Sequence, residues 1–146
     1  MNTDPIDHPD FGTVRWDDGY ERYTTTVGEG ANAFELGFRE SDANRLAELL
    51  HAAAPLWRDR EKWLARWRKA CFEYYTKVLK DEWYEGEEPL DEEKFNMKIG
   101  QPAGIEFSWN DSILQYMITG MGDDLVGDHA LEAHGTGFTP DDVCLA

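Results

Sequence analysis

No lysine or arginine follows Lys98 in this chain of 146 residues, so residues 99–146 carry eight carboxylates without a single base. Long apolar runs are also missing: nothing approaches the roughly 18 consecutive apolar residues of a membrane span. The polar, acidic start from Met1 to Asp10 has no apolar stretch of the kind a secretory signal needs. Cysteine is sparse. Cys71 and Cys144 have neither paired nor metal-type spacing, which predicts reduced thiols in a soluble, unexported, cytoplasmic protein. Catalytic motifs are absent too. There is no Gly-x-Ser-x-Gly elbow, no P-loop and no dinucleotide fingerprint, and neither cysteine has a histidine within local reach. The expectation is a protein without a cofactor that works by binding rather than by catalysis.

What is present is charge, and it is sorted along the chain. Residues 1–40 sum to −6 and residues 41–80 to +4. Residues 81–93 hold eight carboxylates and no base: Asp81, Glu82, Glu85, Glu87, Glu88, Asp91, Glu92 and Glu93. The net charge of −16 repels nucleic acid and anionic membranes and attracts cationic partners. An aromatic fraction of 13%, with six tryptophans, separates this chain from disordered acidic ones, so the charge coats a folded core.

The pattern predicts a single α+β domain over residues 11–146 behind a flexible tail at 1–10. Val14 and Trp16, then Tyr23, Thr25 and Val27, then Phe34, Leu36 and Phe38 alternate as strands, with Asp17-Asp18-Gly19 as a hairpin turn. Ser41 or Asp42 can cap a helix carrying Leu46, Leu49, Leu50 and Ala53. Pro55 should break or restart it. A second helix from about Leu56 to Leu79 turns Trp63, Trp67, Ala70, Cys71, Tyr74 and Val78 inward. Residues 81–93 read as a loop leading to a short helix capped by Asp91. Leu90 and Phe95 form a hydrophobic staple there, and Gly100 and Pro102 end the helix. Strands follow at Ile105–Trp109, Ser112–Thr119, Leu125–His134 and Val143–Leu145. The sum is an antiparallel sheet of three N-terminal and two to three C-terminal strands, packed with a central helical layer.

Several landmarks carry a family likeness. They are Phe11-Gly12, Phe34-Glu35-Leu36-Gly37-Phe38, a Trp-rich helix ending in Lys77-Val78-Leu79 before Asp81-Glu82-Trp83, Phe95, and Gly127-Asp128-His129-Ala130-Leu131-Glu132-Ala133. In these, residues 11–145 resemble an uncharacterised bacterial family, domain of unknown function twenty-two sixty-two. The resemblance implies an α+β fold and a bacterial source, and it carries no activity and no assigned site residues. Small acidic bacterial domains of this kind are similar in size, charge and architecture to immunity proteins encoded beside secreted toxins.

Candidate sites follow from charge and ligand chemistry. Asp81, Glu82, Trp83, Tyr84, Glu85, Glu87 and Glu88, with Asp123 and Asp124 as a second acidic edge, could dock the lysines and arginines of a cationic protein such as a toxin domain. The two aromatics would serve as interface anchors. The bland alternative is a solvated loop that answers the basic helix of the same chain. In the segment Asp123, Asp124, Asp128, His129 and His134, a metal-dependent hydrolase using Asp128 and His129 is a second reading, although five-residue spacing puts His129 and His134 on opposite faces of a strand and no recognised zinc or calcium spacing supports it. A third is a salt-adapted host, whose proteins are all rich in Asp and Glu and poor in Lys; here fifteen Asp and fifteen Glu face six Lys. The stretch Arg58–Lys69, with Trp57, Trp63 and Trp67, could stack on nucleic acid. Its four-residue tryptophan spacing and the net charge argue for core and against that partner.

Overall fold

The alternation of apolar and polar residues in both halves of the chain builds one sheet. The computed structural model describes residues 3–146. Eight strands lie side by side in chain order: β1 (Ile6–His8), β2 (Gly12–Asp17), β3 (Arg22–Val27), β4 (Phe34–Arg39), β5 (Gly104–Asn110), β6 (Ile113–Gly120), β7 (Leu131–Gly135) and β8 (Asp142–Leu145). The architecture is α+β as expected, but the sheet is larger than five or six strands. It is also mixed: β4 and β5 run parallel while every other neighbour is antiparallel. A parallel pair needs a long crossover, and residues 40–103 supply it, carrying the main helices. Ile6–His8, expected within a loose tail, is an edge strand on β2. Asp10 beyond it is held by Arg58 at 2.8 Å.

The helices cover one face. They are α1 (Ala43–Arg58), α2 (Arg60–Tyr74), α3 (Lys80–Trp83), α4 (Glu92–Ile99) and α5 (Asp123–Val126). Asp42 caps α1, its side chain accepting from the Asn44 and Arg45 amides. Pro55 neither breaks nor restarts that helix. It sits exposed inside α1, and the helix ends only at Asp59. Proline deletes one helical hydrogen bond, while its neighbours Ala53, Ala54, Leu56 and Trp57 are all buried and hold the turn.

After α2 comes one π-helical stretch, Tyr75–Leu79. It corrects the expected stripe. Trp63, Trp67, Cys71, Tyr75 and Leu79 are buried, whereas Val78 is 58% exposed and Tyr74 only half-buried. Residues four apart drift by about 40° per step around an α-helix of 3.6 residues per turn. The wider i→i+5 turn absorbs that drift, so Tyr75 and Leu79 stay on the core side.

The strands' inward residues meet the helices in an aromatic centre. Phe107 stacks on Phe38 (5.4 Å, 16°) and on Trp63 (5.8 Å, 27°), and Trp63 meets Tyr116 edge-on at 4.9 Å. Asp91 caps α4 through the Lys94 amide at 2.8 Å. Leu90 and Phe95 are both buried as the staple requires, and Gly100 closes the helix with φ 64°. Leu125–His134 is not a continuous strand: α5 and a turn at 127–130 precede β7. Among the described residues no helix is long and apolar enough to cross a membrane.

Among the described residues, the other face of the sheet carries no helix. The period-two pleat lines it with Arg22, Thr24, Glu35, Gly37, Arg39, Glu106, Ser108, Gln115, Met117, Glu132, His134, Asp142 and Cys144, placed by the register.

Candidate functional site

The two acidic segments, about forty residues apart in sequence, meet at one end of the helical layer. Asp81, Glu82 and Trp83 lie on α3. Tyr84, Glu85, Glu87 and Glu88 lie in the loop to α4, and Asp123 and Asp124 open α5. Helix α4 joins them. Its Lys94 holds Glu88 at 2.9 Å, and one turn later Lys98 holds Asp124 at 2.9 Å. The Lys94 hydrogen bond lowers the Glu88 pKa, and each lysine is raised by its partner carboxylate. From the core, the Tyr75 hydroxyl donates to the Leu125 carbonyl at 2.7 Å and ties α5 down.

Trp83 and Tyr84 build this end rather than project from it. Both are half-buried. The Trp83 ring meets His129 edge-on at 5.0 Å. The Tyr84 hydroxyl donates to the Glu88 carbonyl at 2.9 Å, closing the loop on itself. Its ring lies over Gly86, where any Cβ would overlap it. Among the described residues, Asp81, Glu82, Glu85, Glu87, Asp123 and Asp128 are exposed and make no ion pair. The acidic end is therefore a carboxylate surface only partly neutralised by α4.

Asp128 and His129 lie in the turn before β7 and are exposed. His129 Nδ1 is 3.0 Å from the Ala146 carbonyl oxygen, and the residue's amide donates to the Val126 carbonyl. The His129 side chain thus has two structural contacts, with Trp83 and with Ala146. Among the described residues, the group whose ligating atoms converge is a different one, Glu132, His134 and Cys144. Sequence reasoning weighed His134 together with Asp128 and His129 but passed over Glu132 and Cys144 as its partners. The signal was Glu132-x-His134 on the polar side of a strand, and its third member lies on the neighbouring strand.

The open face has two further features. Glu106 on β5 binds Arg22 and binds Arg39 with two hydrogen bonds of 2.9 and 3.2 Å. Burial alone would raise the Glu106 pKa, but hydrogen bonds from Arg39 and Arg22 outweigh it and the net shift is downward. Beside this cluster is a cavity of about 300 Å³, lined by Glu106, Ser108, Gln115, His134, Asp141 and Asp142 among others.

The remaining candidates are structural. Trp57, Trp63 and Trp67 are buried and present no stacking platform. Arg60 lies over Trp57, Arg66 over Phe138, and Arg68 donates to the Gly100 carbonyl. Burial pushes the Cys71 thiol up to about 12, which removes it as a nucleophile. Cys144 is raised by burial first and then by the charges of Glu132 and Asp142.

No protein-family model matches the chain, and no curated protein or solved structure does either.

Proposed function

We propose that this chain is a binding protein that docks a cationic protein through the end formed by residues 81–88 and 123–128. The observation that carries the reading is the convergence of two acidic segments on α4, with six exposed carboxylates that make no ion pair among the described residues. Such a surface accelerates encounter with a basic partner and selects against acidic ones. A toxin whose lysines and arginines hold a phosphate-bearing substrate is a partner of this chemistry, and covering those bases would neutralise it.

The partner is captured from host cytosol, identified and purified, and its association rate is then measured at low and physiological salt. Glu82, Glu85 and Glu87 are changed to Lys together; Glu88 is spared because it pairs with Lys94. The control changes Glu29, Glu35 and Glu48 to Lys, which are exposed and lie outside residues 81–88 and 123–128, so that net charge is matched. Electrostatic steering is worth about 10–10³ in on-rate. The first variant should lose at least about tenfold at low salt, while the control should keep most of the rate. Equal losses in both would reduce the effect to net charge and overturn the reading.

A further inference from the structure

Strands β7 and β8 end the sheet, and their outward side chains have metal-ligand chemistry. Glu132 and Cys144 are directly opposite each other in the ladder, and His134 follows Glu132 by two residues on the same strand. The pleat therefore puts all three on the helix-free face, while Leu131 and Ala133 are buried beneath the helices. One ligand atom from each of the three lies within 4.8 Å of the others, and His134 Nε2 is 3.5 Å from Glu132 Oε2. All three residues are half-buried, open enough to be reached and enclosed enough to be fixed. Asp142 is directly opposite His134, and its charge also reaches the Cys144 thiol.

We propose that Glu132, His134 and Cys144 form a binding site for a borderline transition-metal dication of the zinc class. The donor set selects the metal. A thiolate and an imidazole favour zinc or cobalt, whereas magnesium and calcium require oxygen ligands. Zinc bonds of about 2.0–2.3 Å place neighbouring tetrahedral ligands roughly 3.3–3.8 Å apart. The present spread, within 4.8 Å, must close by roughly 1 Å to reach that spacing. Three protein ligands leave one position open, the arrangement of reactive rather than purely structural zinc. His134 and Asp142 also line the 300 Å³ cavity, so a metal bound to His134 would lie beside it. The site lies on the helix-free face of the sheet and does not depend on the docking proposal.

The test titrates the purified full chain, reduced and metal-free, with Co²⁺ alone. The expected result is one Co²⁺ per chain, with a thiolate-to-cobalt charge-transfer band, four-coordinate ligand-field bands, and displacement of both by Zn²⁺. Cys144→Ser should abolish the charge-transfer band, and His134→Gln or Glu132→Gln should weaken Co²⁺ binding at least tenfold. Thermal midpoints of the metal-free variants verify that each is folded, and the two separate ligand substitutions keep the test decisive if one is not. His129→Ala should leave the spectrum unchanged. The proposal is overturned by absence of the charge-transfer band in the wild type, by its survival in Cys144→Ser, by its loss in His129→Ala, or by a stoichiometry of one metal to two chains.

Discussion

Replacing Glu106 with glutamine tests the electrostatics of the open face. The carboxylate side chain is 16% exposed and serves two guanidinium groups, Arg22 at 22% exposure and Arg39 at 52%. Glutamine keeps the shape and one acceptor oxygen but removes the charge. Breaking a fully buried ion pair by deleting one partner costs about 3–5 kcal/mol, because the other charge is left stranded. Arg39 can turn to solvent, so only part of that applies. Arg22 cannot turn so easily: its guanidinium lies across Gly37, where a Cβ would fall 2.8 Å from Cζ, and its Nε is buried without a hydrogen-bond partner. A loss of about 2–3 kcal/mol at neutral pH follows from that discount on the buried-pair cost. For a chain of this size each kcal/mol shifts Tm by about 2–4 °C, so the midpoint should fall by about 4–12 °C. The pH dependence fixes the sign. Because the folded Glu106 pKa is depressed, its contribution is complete above the unfolded value of about 4.3 and disappears as pH falls through the folded pKa. Urea unfolding of wild type and variant across that range should therefore show two stability curves separated at neutral pH and converging in acid. A separation below about 0.5 kcal/mol at neutral pH, the range of an ordinary surface substitution, refutes the reasoning. So does a gap that stays constant as pH falls.

Two further outcomes test packing and capping. A Cβ at Gly120 would lie 2.8 Å from Trp67 Cζ2 and 2.9 Å from Ile99 Cδ1, both in the core, so Gly120→Ala should cost about 1–3 kcal/mol in chemical denaturation. Asp91 accepts the Lys94 amide at 2.8 Å, so Asp91→Ala should cost about 1 kcal/mol and raise amide exchange in the first turn of α4.

The acidic end was legible as residues but not as a place. The run 81–93 and the pair Asp123-Asp124 are visible in the composition of their segments, and charge alone marks them as surface. Their meeting depends on Lys94 and Lys98 being one turn apart on α4, and on Trp83 reaching His129. Trp83 and Tyr84 look like protruding anchors in sequence because their neighbours are charged. In the fold they are the wedges that hold the loop. The Glu132–His134–Cys144 group was only partly legible, because strand registry decides which residue of β8 stands opposite Glu132, and no local pattern records registry.

Local chemistry determined the pieces that depend on one or two turns of chain. The Asp42 and Asp91 caps, the Leu90–Phe95 staple and the Gly100 stop need only residues within a few positions of one another. Alternation likewise put Leu36 and Phe38 on one face before any partner was known, and both are buried. Tertiary structure decided what those pieces do together. Burial of Ala53, Ala54, Leu56 and Trp57 carried α1 through Pro55, and the core drew Tyr75 and Leu79 inward by widening a helical turn. The parallel pairing of β4 with β5 joined two antiparallel groups into one eight-stranded sheet. The physical reason is range. Hydrogen bonds and caps act between near neighbours in sequence, whereas apolar burial and strand pairing act between whatever surfaces the chain brings into contact.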